Sequence, residues 1–188
     1  MNTIKKIALI FTMMILTSCA SAPKYIVISP EITSNVTNVY QGQSINLQVI
    51  DRRSTSHLVQ ILKENQAATL VSSQQALTEI IDKTLRPKLV AQGLTLAKQT
   101  TNNFDVIIDT ALISVQQELL KYQANNVITL IANISNTDQT LTKTFTIKGR
   151  SNGPLTADTA VLARDFNQQL AKLLSQLIND NEIKQFIR

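Results

Sequence analysis

The chain has one cysteine, one histidine and no tryptophan in 188 residues. A single histidine excludes a His-rich metal site, and with the only cysteine at position 19 there is no material for Cys/His catalysis. No intrachain disulfide can form either, so the fold must be held by burial alone, whatever its compartment permits. Four glycines and four prolines are too few for a flexible linker or a low-complexity segment. Aromatics make up 4% of the chain, and the basic residues are scattered, so there is little to stack or track a nucleic acid. There is no Gly-x-Ser-x-Gly elbow, phosphate loop or His-Glu-x-x-His pair. The expectation is a non-enzymatic protein with no cofactor and no metal.

What is present is concentrated first at the N-terminus. Lys5 and Lys6 precede an apolar run from Ile7 to Leu16, and Thr17 and Ser18 stand directly before Cys19. This is the order of an export signal ending in a lipoprotein processing site, with Leu16, Thr17 and Ser18 recognised by the peptidase and Cys19 carrying the lipid. The run is shorter than the ~20 residues a membrane span requires. Cleavage would remove residues 1–18 and, with Lys5 and Lys6, lower the formal charge from +5 to +3. That small excess predicts a mild attraction to anionic headgroups. Residues 19–23 then form the lipidated cysteine and a short linker, and residues 24–188 a single periplasmic domain. Ala20 to Pro23 reach only ~14 Å when extended, so the domain is expected close to the membrane surface. Ala20, in place of Asp, points to the outer membrane.

Hydrophobic periodicity along the rest predicts an α+β domain, a largely antiparallel sheet with two main helices packed on one face. Strands are expected at Tyr25–Ile28, around Ile45–Val49 running into Asp51-Arg52-Arg53, and at Leu58–Leu62. Ser72 and Gln75 have capping-box spacing, predicting a helix from there to Gly93, kinked or split by Pro87. Phe104, Val106, Ile108, Thr110 and Leu112 alternate with Asp105, Ile107, Asp109, Ala111 and Ile113, the pattern of a strand with two usable faces. Two further strands, to Ser135 and over Leu141–Lys148, complete an antiparallel meander, and Gly149–Pro154 is read as a loop. Thr156 or Asp158 caps a long amphipathic helix through Leu177, interrupted at Asp180 and Asn181 before a short terminal helix.

Few side chains suggest chemistry. His57, beside Ser54, Thr55 and Ser56, could serve as a base for a hydroxyl nucleophile but lacks an orienting acid, and is read as a loop histidine at a strand start. Asp105 and Asp109 share a face but lie ~13 Å apart along a strand, too far for paired glycosidase acids. Arg52 and Arg53 could hold an anion or a partner's carboxylate, and surface ion pairing is the plainer reading. Ile107, Ala111, Ile113, Val127 and Ile131 form an apolar second face of the meander, interrupted by Asp and Thr. Cover by another part of the chain is the expectation, with a groove for a partner or an acyl chain as the alternative.

The lipobox, the following Tyr25-Ile26-Val27-Ile28-Ser29-Pro30, the strand ending in Asp51-Arg52-Arg53, the Ser72–Gly93 segment and the tail Asn181-Glu182-Ile183-Lys184-Gln185-Phe186-Ile187 together resemble the YajG family of proteobacterial lipoproteins. The resemblance implies an outer-membrane lipoprotein facing the periplasm and carries over no catalytic residue. The function expected is an interaction module that docks on envelope proteins. The alternative is an accessory protein of envelope transport that binds a lipid or amphiphile.

Overall fold

Three strands of 15 residues each, β6 (Asn103–Gln117), β7 (Lys121–Ser135) and β8 (Thr140–Pro154), run antiparallel as the meander that alternation predicts. The computed structural model describes residues 25–33 and 36–188. Before the meander come β1 (Tyr25–Ile26), β2 (Ser44–Asp51), β3 (His57–Lys63), β4 (Thr69–Ser73), helix α1 (Leu77–Ala91) and β5 (Thr95–Leu96). After it come α2 (Thr159–Asn179) and α3 (Asn181–Ile187).

The long ladders are antiparallel, as expected, but the sheet as a whole is mixed. β2 and β3 lie in tandem along one edge of β6, both parallel to it, β2 against Asn103–Ile108 and β3 against Ile113–Gln117. β4 is antiparallel to β3, while β1 joins β4 and β5 joins β2 in parallel. Parallel pairing needs a long crossover, and the segment between Lys63 and Asn103 supplies one that contains α1. Short-connection reasoning holds for the meander alone.

At the gap between β2 and β3, the β6–β7 ladder slips between Ile108 and Thr110. This bulge at Asp109 reverses the alternation that the sequence suggests. Ala111 and Ile113 join Phe104, Val106 and Ile108 in the core, while Thr110 and Leu112 turn outward.

Three further expectations change. Ser72 caps no helix: Val71 is buried and draws Thr69–Ser73 into β4, and α1 begins at Leu77 without a side-chain cap. Pro87 does not split α1, because Lys83 and Pro87 are both exposed and the carbonyl that loses its donor lies on the wet side of the helix. Gly149–Pro154 is no loop but the end of β8. Its inward positions are Gly149, Ser151 and Gly153, which leave no apolar signal; a Cβ at Gly149 would collide with Gln169 and one at Gly153 with the Tyr122 ring. Gly93 behaves as expected, closing α1 at φ +90°.

α2 buries Leu162, Phe166, Leu170, Leu173, Leu174, Leu177 and Ile178 in the same core as the inward residues of the strands. Asp158 caps it by accepting from Ala160 N at 2.8 Å. Asp180 ends it and caps α3, accepting from the Glu182 and Ile183 amides at 3.0 Å each. Lys143 of β8 clamps this corner, 2.7 Å from Asp180 and 3.1 Å from Glu182. Its hydrogen bond to Asp180 holds the ammonium pKa above its ordinary value.

Near that corner Tyr40 is fully buried, and its hydroxyl has no partner among the described residues. Burial pushes its pKa up to about 12, with Arg188 opposing and Asp180 adding. An unpaired buried hydroxyl opposes folding, so Tyr40→Phe is expected to raise stability by about 1 kcal/mol, read as a higher urea midpoint at unchanged slope.

Candidate interaction site

Cys19 and its flanking Leu16, Thr17 and Ser18 lie outside the described residues. Of the others singled out by sequence, Ile107, Val127 and Ile131 gather on the outward face of the meander. Ile107 pairs with Ile131 and with Ile50, and Leu112 pairs with Val127, giving a half-exposed apolar stripe through three strands. Thr142, Thr144 and Thr146 border it on β8 and Asp105 stands at one end, its carboxyl held above its ordinary pKa by burial. The stripe is partly open to solvent, in contrast to the cover expected for it.

Arg52 and Arg53 do not act as a pair. The Arg53 guanidinium lies across the gap between β2 and β3, its Nη2 2.7 Å from Asp51 Oδ2 and its Nη1 donating to the Ala111 carbonyl at 3.3 Å. Its side chain is 7% exposed, so it is committed to joining the two halves of the sheet. Burial would raise the Asp51 pKa, but hydrogen bonds from Arg53 outweigh it and hold the carboxyl below the ordinary range. Arg52 donates its backbone N–H to Ile108 O at 3.0 Å and leaves its side chain at the surface.

The feature that sequence reading missed is the full length of β8 and its open edge. β8 pairs with β7 on one side, and among the described residues no strand pairs with the other. Fifteen residues of unpaired edge are an open template for another strand. Beneath this edge a pocket of about 290 Å³ lies between β8 and α2. Arg150 and Gln168 stand exposed at its margin, and Asn126, Gln169 and Ile113 line its depth. Both amide atoms of Asn126 and Oε1 of Gln169 are buried without a partner among the described residues. A polar group entering from the β8 edge would find donors and acceptors ready there. The signal was present in Gly149, Ser151 and Gly153, small residues at every second position, which turn-based reading assigned to a loop.

A second concavity, about 800 Å³, is an open groove between the segment after β1 and α2. Tyr25, Val27, Ala160, Ala163 and Ala171 make its lining mostly apolar. Asn167 spans it, accepting from Ser29 N at 2.9 Å. Among the described residues no group of three or more His, Cys, Asp or Glu side chains is placed to hold a metal, and no helix is long and apolar enough to cross a membrane.

Comparison with known proteins places this architecture. The sequence model of a family described as "Uncharacterized lipoprotein" matches residues 30–188. The uncharacterized lipoprotein YajG of Escherichia coli K12 is 24% identical over 176 residues, covering 92% of this chain and 91% of the relative, and the protein of the same name in E. coli O6:H1 matches equally. Among solved structures, protein XCC0632 from Xanthomonas campestris shares the fold with a TM-score of 0.62 at 14% identity, over 87% of this chain and 97% of the other. The family match runs from Pro30, past β1, to the C-terminus and so includes the meander, the β8 edge and α2: this chain belongs to the YajG family of lipoproteins.

Proposed function

We propose that the protein is anchored by lipid on Cys19 to the periplasmic face of the outer membrane, where it docks on other envelope proteins by adding a strand to β8. The observation that carries this reading is the unpaired 15-residue edge of β8. Main-chain hydrogen bonds along such an edge supply affinity, and alternate side chains of the added strand supply specificity. On one side they would meet the threonine border and the Ile107, Val127 and Ile131 stripe, with Arg52 at the surface near the gap; on the other they would enter the pocket at Asn126 and Gln169. A core packed with apolar side chains from both the strands and α2 is consistent with this reading. The alternative, a binder of lipid or amphiphile, rests on the apolar groove beside α2.

Photo-crosslinking residues placed in living cells at Thr144, Thr146 and Lys148, and in the groove at Val27 and Ala163, separate the two. Discrete protein adducts from the β8 positions alone support docking, whereas lipid adducts from the groove positions alone support the carrier. Mass spectrometry of the mature chain tests the anchor independently. An N-terminus at Cys19 with acyl-bearing glycerol is expected, and an unmodified Cys19 would refute it.

A further inference from the structure

The most exposed large apolar side chains of the meander are at one end of it. In the turn between β6 and β7, Leu119 is 95% and Leu120 75% exposed, and Leu155, just past β8, is 62% exposed. They form one construction, since Leu155 N donates to Leu120 O at 2.9 Å. Gln117 fastens it from within: its Nε2 donates to the carbonyls of Glu118 and Leu155 at 2.7 Å each, and its Oε1 accepts from Ala157 N at 3.0 Å. Leu155 also holds φ +60°, a left-handed conformation costly to any residue with a Cβ. A strained leucine kept at the surface contributes nothing to the core, and strain of this kind points to a role outside folding.

The strand register says what lies at that end. Tyr25 pairs with Ser72, and Ser72 with His57; β3 then runs six residues on to Lys63, which pairs with Gln117 at the base of the tip. That is ~20 Å at ~3.3 Å per residue. β1 is parallel to β4 and therefore opposed to β3, so the N-terminal end of β1 faces the tip. Cys19 stands six residues before Tyr25, a reach of up to ~20 Å. The level of the three leucines is thus within chain reach of a lipid on Cys19. Lys63, Glu64, Glu118 and Lys121 around them balance in charge, with Lys121 and Glu118 paired at 3.3 Å. The contact is suited to the apolar part of a leaflet and not to its charge.

We infer that Leu119, Leu120 and Leu155 are a second membrane contact, which enters the leaflet beside the anchor and fixes the domain upright on it. This rests on the anchor at Cys19. The chain has no tryptophan, so a single indole reports one position. The full lipidated chain carrying Leu119→Trp, or Asp138→Trp in the loop at the opposite end of β7, is reconstituted into phosphatidylethanolamine/phosphatidylglycerol vesicles and floated. The indole at 119 is expected to be quenched roughly threefold more by bromine-labelled acyl chains than that at 138, with no loss in 1 M salt. Flotation with equal, water-like emission from both would overturn the tip and leave the anchor standing. Failure to float would overturn the anchor and the tip with it. Shielding of position 119 in native membranes but not in pure lipid would show a protein on the tip, and overturn the membrane contact.

Discussion

Phe166→Ala is expected to lower unfolding free energy by about 4 kcal/mol, the range for deleting a buried phenylalanine. Folded domains hold only roughly 5–15 kcal/mol in total. Phe166 is fully buried, between Leu162 and Leu170 on the face by which α2 joins the core. No disulfide offsets the loss, because the chain's single cysteine is Cys19. Phe166→Leu keeps most of the volume and should cost under about 1.5 kcal/mol. Urea unfolding of both variants checks the pair; equal midpoints would mean that the site collapses around the missing ring. The consequence reaches the surface, since α2 forms one wall of the apolar groove and one wall of the pocket under β8. A loosened α2 should weaken any binding at either place, so the crosslinking variants need the stability of the parent chain.

The elements that could be read from sequence are those whose period is undisturbed. α2 shows because one helical face is uninterrupted leucine and phenylalanine, and Asp158 and Asp180 cap and end the helices around it. β7 shows because apolar residues recur at every second position along most of it, broken only at Asn126. What was not readable depends on partners far along the chain. The bulge at Asp109 is one inserted residue with no side-chain signature, yet it exchanges the faces of everything beyond it. Parallel pairing of β2 and β3 with β6 follows from a crossover whose direction no local pattern encodes. β4 lost to a helix reading because Ser72 and Gln75 have capping spacing by coincidence, while burial of Val71 decided the matter. The end of β8 was hidden by its glycines, which serve the approach of Gln169 and Tyr122 and not a turn. The expected lipidation pattern at Cys19 is local chemistry that depends on no distant partner, and its residues lie outside the described part.

These corrections also relate the two proposed surfaces. Strands of 15 residues extend ~50 Å. If the leucine tip meets the leaflet, β8 rises away from it, and its edge is presented to the periplasm along most of its length. Anchor, tip and edge then have separate duties, which the crosslinking and quenching experiments read separately.

Arg53→Ala is the second large effect. It removes charge-assisted hydrogen bonds to Asp51 and a bond to the Ala111 carbonyl at the place where β2 gives way to β3. Such bonds contribute roughly 1.5–3 kcal/mol, and Asp51 is 32% exposed, so solvent screening brings the expected loss to about 2 kcal/mol. Lysine cannot reproduce the fork, and Arg53→Lys should recover less than half. The deficit carries a pH signature. The folded pKa of Asp51 lies below its unfolded value, so its contribution is present above the ordinary carboxylate range, near pH 4, and is lost as pH falls through the folded value. Parent and Arg53→Ala chains should therefore differ fully at pH 7 and converge below about pH 4. Asp180, also held low against the rise that burial alone would give, by Lys143 and the α3 amides, weakens both chains alike over the same interval. It leaves the difference unchanged. A difference that persists undiminished at pH 3 would show that Arg53 acts through packing and the Ala111 carbonyl, and not through Asp51.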